Sequence, residues 1–147
     1  MSTHYLKYAL NLLISLVIMY LVMFTMIDGI NDFYNNPNMF YMAIMMVAPM
    51  AMLMLLMMAP MYPRKRLNLA LHLAFAILFI AAFTFMRMQT FVGDAQFLRS
   101  MIPHHSGAIL MCRESSLADP EIAALCERII DSQKREIAEM NRILARY

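Results

Sequence analysis

Three stretches of this chain run for about twenty residues each without an Asp, Glu, Lys or Arg: Tyr8 to Ile27, Asn38 to Met61 and Leu67 to Met86. An α-helix rises about 1.5 Å per residue, so each stretch is long enough to cross the ~30 Å hydrocarbon core of a bilayer. Lipid offers no hydrogen-bond partner to a backbone, which makes helix the expected conformation of all three. The residues are 62% hydrophobic and only 15% charged, against ~25% charged in ordinary soluble domains. A net charge of +2 leaves no acidic or basic tail, and the chain is not expected to bind nucleic acid or to be disordered.

The sequence therefore divides into a membrane domain at 1–88, with spans at about 8–28, 38–61 and 67–88, and a module at 89–147. The first span resembles a signal peptide in following Lys7, but it is too long and lacks a small-residue cleavage pattern, so it is read as a helix. Lys7 and the Arg64-Lys65-Arg66 turn are basic, whereas the loop between the first two spans holds Asp28, Asp32 and no cation. The positive-inside rule then puts the N-terminus in the cytoplasm of an inner (plasma) membrane. The module falls on the opposite, periplasmic or extracytoplasmic face. Tyr5, Tyr8, Tyr34, Tyr41 and Tyr62 near the span ends are expected to be interface anchors.

Apolar positions of the module recur at helical spacing: Phe97, Met101, His104 or His105, Ala108 and Met111 or Cys112, then Ile122, Leu125, Ile129, Ile137, Met140 and Leu144. Asp119-Pro120-Glu121 between them reads as an N-cap, a first-turn proline and a carboxylate favoured by the helix dipole. The module is thus a helical hairpin turning near Ala118. Two helices cannot enclose a core, but two hairpins can, so the expected fold is all-α, with a four-helix bundle formed by homodimerisation. Equidistance from Asp119 sets Cys112 against Cys126, and places Gln133 level with His105.

Met101, His104, His105 and Met111 put thioethers and imidazoles on one helix face. Soft sulfur with imidazole selects Cu(I) over Mg²⁺ or Ca²⁺, and no Cys-x-x-Cys or His-Glu-x-x-His pattern argues for zinc. The competing reading is core packing by the methionines, with the histidines capping a kink at Pro103. A carboxylate-bridged metal oxidase would need several inward glutamates and a Glu-x-x-His motif. Glu114, Glu121, Glu127 and Glu139 fall toward the solvated face, so no enzymatic activity is expected.

Asp94, Phe97, Met101-Ile102-Pro103-His104-His105, Ala108, Met111, Asp119-Pro120-Glu121, Gln133, Glu136, Ile137 and Met140 together resemble the CopM-like family, catalogued as domain of unknown function 305. The resemblance covers about the last 55 residues. It implies a ferritin-like bundle that binds copper for tolerance rather than catalysis. It marks Met101, His104, His105, Met111 and Met140 as ligands and Gln133 and Glu136 as groups orienting the imidazoles. This chain departs from the family in having one hairpin joined to spans and in adding Cys112 and Cys126. Those cysteines admit a disulfide, a pair of thiolate ligands or plain burial.

Ten of the 23 residues from Met39 to Met61 are methionine. Met42, Met46, Met50, Met54, Met57 and Met61 follow one slowly drifting face, with Met39 extending it outward, which could pass Cu(I) along a thioether ladder or merely pack against lipid or a neighbouring helix. The spacing resembles that of eukaryotic high-affinity copper transporters, though glycine packing in the third span and an outside N-terminus are absent here. Pro49 should kink this span. His72 lies within the hydrocarbon region and is a site candidate. The sequence reading is thus a membrane-anchored Cu(I)-binding protein for capture, buffering or tolerance, with copper-handling proteins as partners. A Cu(I) conduit through the second span is the alternative.

Overall fold

The computed structural model describes residues 3–147. Among them are five α-helices and no strand: α1 (Thr3–Val22), α2 (Pro37–Met57), α3 (Lys65–Arg87), α4 (Asp94–Glu114) and α5 (Pro120–Leu144). α1 continues as a 3-10 turn over Met23–Met26, and with it the first three helices are long and apolar enough to cross a membrane. α1 begins upstream of Tyr8, because Lys7 sits at an exposed position and does not interrupt it. α2 ends at Met57 rather than Met61; Pro60 and Pro63 have no amide to continue the ladder, and Ala59–Met61 forms a 3-10 turn. Pro49 is accommodated within an unbroken α2.

The helices fall into two compact units. The first takes in Met1–Met23 and Asn38–Thr90. Its core gathers Tyr5, Tyr8, Leu12, Val47, Ala51, Leu55 and Tyr62. Tyr8 Oη donates to the Ala51 carbonyl at 2.9 Å. Tyr5 Oη accepts from the Arg64 amide (3.2 Å) and donates to Asn68 Oδ1 (2.8 Å), and Asn68 Nδ2 donates to the Tyr62 carbonyl (2.7 Å). At the other end Tyr41 Oη donates to the Thr90 carbonyl at 2.7 Å. These contacts correct the reading of Tyr5, Tyr8, Tyr41 and Tyr62 as interface anchors. All four are buried: the hydroxyls of Tyr5, Tyr8 and Tyr41 are satisfied by fixed backbone or side-chain groups, which lets their rings enter the core, and the Tyr62 ring packs against those of Tyr5 and Tyr8.

α2 turns its small residues inward. Tyr41, Ala43, Val47, Ala48, Ala51 and Leu55 are buried, whereas Met42, Met46 and Met57 are exposed and Met50 and Met54 lie at the core's edge. Within one chain the thioether ladder does not line an interior path.

The second unit joins Phe24–Pro37 to Phe91–Tyr147. The α4/α5 hairpin starts α5 on the expected cap: Asp119 Oδ1 accepts from the amides of Glu121 (2.8 Å) and Ile122 (3.3 Å). Leu98, Ile102 and Met140 form its core with Tyr34, Met101, Ile137, Ile143 and Leu144 around them. The segment 24–37 is a third layer against α4. Ser106 Oγ accepts from the Asp28 amide (2.7 Å) and donates to Asp32 Oδ2 (2.5 Å), and Arg113 pairs with Asp28 at 2.6 Å. Gly107 permits this layer, because a Cβ there would lie 3.3 Å from the Met26 carbonyl oxygen. Tyr34 Oη reaches Asn141 Oδ1 at 2.9 Å and ties the same segment to α5.

The inward face of α2 can be tested directly. Ala51→Leu overfills a position with no exposure and should cost about 1–3 kcal/mol, lowering the midpoint of thermal unfolding in detergent. Met46→Leu, at an exposed position, should leave the midpoint unchanged.

Candidate metal centre

α4 presents three sides, because successive residues turn by about 100°. Leu98, Ile102, His105, Ile109 and Cys112 repeat at intervals of four and three and face α5. Ser106, Gly107 and Arg113 face the 24–37 segment. Phe97, Met101, His104, Ala108 and Met111 repeat at the same interval on the remaining side, which nothing in the unit covers fully. Phe97 is 51% and Met111 59% exposed, and His104 is exposed between them. On α5, Ile122 and Leu125 are also 48% and 47% exposed.

The two adjacent histidines thus lie on different sides of one helix. Their ring centroids are 6.0 Å apart, edge to face. His105 is buried, and both of its nitrogens meet oxygen: Nδ1 donates to the Met101 carbonyl (2.9 Å), and Nε2 contacts Glu136 Oε2 (2.7 Å). Glu136 Oε1 in turn accepts from Ser132 Oγ at 2.7 Å. The Ser132 hydroxyl, and after it His105, hold the Glu136 carboxyl below the usual glutamate range. His105 is thereby a cross-link between α4 and α5, whereas His104 keeps its ring accessible.

The other sequence candidates separate in the same way. Met101 stands at the border of the open side and the core, Met140 is in the core, and Met111 is open. Gln133 is half-buried one turn before Glu136. Cys112 and Cys126 form a disulfide with Cα atoms 5.2 Å apart, which removes thiolate ligation from their open readings. In the first unit His72 Nδ1 donates to the Asn68 carbonyl one turn earlier (2.7 Å).

Met101 and His104 are three residues apart and can reach one ion together. Met111 is two turns beyond His104, about 10 Å along the axis, and cannot join them within one chain. One chain therefore supplies a soft two-donor set at one level and a lone thioether at another. Among the described residues no group of three or more His, Cys, Asp and Glu side chains could hold a metal ion. The donor chemistry fits a soft ion of low coordination number, and it does not fit Mg²⁺, Ca²⁺ or structural zinc.

The clasp of Asp28 and Asp32 onto α4 escaped the sequence reading, which used those residues only as loop charges. The small pair Ser106-Gly107 beside His105 is the signal that something packs closely there.

A family model described as Domain of unknown function (DUF305) matches residues 45–144, a stretch that begins inside α2 and so extends beyond the last 55 residues. Uncharacterized protein L153 of Acanthamoeba polyphaga mimivirus is 36% identical over 119 residues, covering 80% of this chain and 76% of that protein. No solved structure matches the chain.

A carboxyl held below its ordinary range stabilises the fold above that range, and the contribution disappears as pH falls through the depressed value. Hydrogen exchange of the full chain should therefore show α5 losing protection around Glu136 on acidification below the ordinary glutamate range. Glu136→Gln should show weaker protection at neutral pH and a flatter acid profile. An unchanged acid profile in that variant would remove the cross-link from the account.

Proposed function

The chain belongs to the family described as Domain of unknown function (DUF305), and on that premise we propose that it is a membrane-anchored, CopM-like Cu(I)-binding protein. Its task is capture, buffering or tolerance on the extracytoplasmic face, without catalytic turnover. The observation that carries the reading is the open side of α4, where Met101, His104 and Met111 alternate with Phe97 and Ala108. Soft donors on an uncovered, mostly apolar helix face are accessible to an incoming ion in a way that core methionines are not.

The same side completes a bundle. In this reading a second copy packs against it as a homodimer, turning two open hairpins into a ferritin-like four-helix bundle. Apposed copies bring a second Met101/His104 pair to a shared level, which raises two donors to the three or four that hold Cu(I) firmly. His105 then orients α4 through Glu136 and does not itself bind, and Met140 stays in the core.

Membrane placement is supported by the composition of the second unit. The 24–37 segment and the hairpin pack together there, and the chain leaves and returns to that unit through α2 and α3. Two crossings bring a chain back to the side it left. With Lys7 and Arg64–Arg66 read as cytoplasmic by the positive-inside rule, the unit falls on the outer side in this proposal. The disulfide suits an oxidising compartment. The conduit alternative loses support, since the exposed methionines of α2 would form a path only between copies.

Anaerobic Cu(I) titration of the full chain against a competing chelator tests the reading. Met101→Leu with His104→Ala should lower affinity by more than the about 10–100-fold that orienting groups carry, and Glu136→Gln by about that amount. Undiminished binding in the double variant would overturn the site. Phe97→Glu with Met111→Glu should yield monomers in mild detergent; a persistent dimer would overturn the bundle.

A further inference from the structure

All ten acidic residues of the chain lie in the second unit or its 24–37 segment, and none in the first. The first unit instead carries Lys7, Arg64, Lys65, Arg66 and Arg87. Three of these five, Arg64, Lys65 and Arg66, are consecutive at one turn. Tyr5 Oη bridges the Arg64 amide and Asn68 Oδ1, and the Tyr5 and Tyr62 rings pack at 5.3 Å. That buried junction holds the start of α1 against the 62–68 turn, whereas Lys7, about 200° around the helix from Tyr5, lies on the far side of α1. The backbone there is held, whereas the Arg64, Lys65 and Arg66 side chains are exposed, and among the described residues no ion pair engages them.

We propose that this junction is a binding site for an anionic phospholipid, with the headgroup phosphate on Arg64, Lys65 and Arg66 and the acyl chains along the adjoining helix surface. The counter-charge that the unit lacks has to come from outside it. Guanidinium and ammonium groups together suit a phosphodiester, Arg through its planar fork and Lys as a point charge. α3 starts at the same place without a side-chain cap hydrogen bond from Arg64, so the positive end of its dipole adds to the potential there. The partner is a lipid rather than a soluble anion because apolar surface begins directly beside the charges. Leu6, Leu10 and Leu69 are each more than half exposed there. A polybasic cluster bordering a span gains about fivefold per cation from anionic lipid, so three cations distinguish a charged headgroup from a zwitterionic one.

This inference depends on α1–α3 lying in a membrane and is independent of copper. Full-length protein, stripped of lipid in detergent micelles, is offered equal amounts of dioleoylphosphatidylglycerol and dioleoylphosphatidylcholine, and native mass spectrometry reads the adducts. The glycerol lipid should be retained about tenfold or more over the choline lipid. Arg64→Gln with Lys65→Gln and Arg66→Gln should abolish the preference. Arg128→Gln with Lys134→Gln and Arg146→Gln, which removes the same charge from α5 and the C-terminus, should preserve it. Arg64→Lys with Arg66→Lys retains the charge and should keep the preference, which separates recognition from loss of fold. Equal retention of the two lipids would overturn the proposal, as would a preference surviving the Arg64/Lys65/Arg66 substitutions. Inorganic phosphate alone forming adducts as abundant as the lipid would assign the cluster to soluble anions and overturn it too.

Discussion

The structure of the second unit depends on how the sides of α4 are used. A helix in a small unit must bury its apolar stripe against something, and α4 has two partners available in its own chain. One side closes on α5 through Leu98, Ile102 and the disulfide, and another is clasped by Asp28 and Asp32 through Ser106 and Arg113. The third side, with Phe97, Met101, His104, Ala108 and Met111, is left over. It leaves apolar and soft-donor side chains uncovered together, so the proposed association and metal binding would draw on the same residues.

That partition separates two histidines that look alike in sequence. A turn of 100° between neighbours sends His105 toward α5 and His104 away from it. Burial then commits His105 to satisfying both ring nitrogens, which the Met101 carbonyl and Glu136 do. Exposure leaves His104 free of such a demand. A motif with adjacent histidines thus combines a fastener with an accessible donor, and only the fastener is determined by one chain alone.

Elements governed by local chemistry were legible in the sequence. The three apolar helices, the Asp119 cap, the hairpin turn and the opposition of Cys112 to Cys126 follow from composition, spacing and counting. What escaped were contacts between segments far apart in the chain. Asp28 and Asp32 reach residues more than seventy positions away, and nothing in their loop announces it. The tyrosines near the span ends were misread because a phenol is equally suited to a headgroup layer and to a buried hydrogen bond; only the partners, Ala51, Asn68 and Thr90, decide. The methionine ladder of α2 misled in another way. Its spacing is helical, but the alanines beside it permit closer packing and take the inward face.

The account stands on thioether and imidazole groups of the open side sharing one ion. X-ray absorption at the copper edge, on full-length protein loaded anaerobically with Cu(I), addresses that claim most directly. The account predicts a low-coordinate shell that contains both sulfur and imidazole nitrogen, and that loses its imidazole scattering in His104→Ala. A shell of oxygen or nitrogen without sulfur, or one unaltered by that substitution, would contradict it.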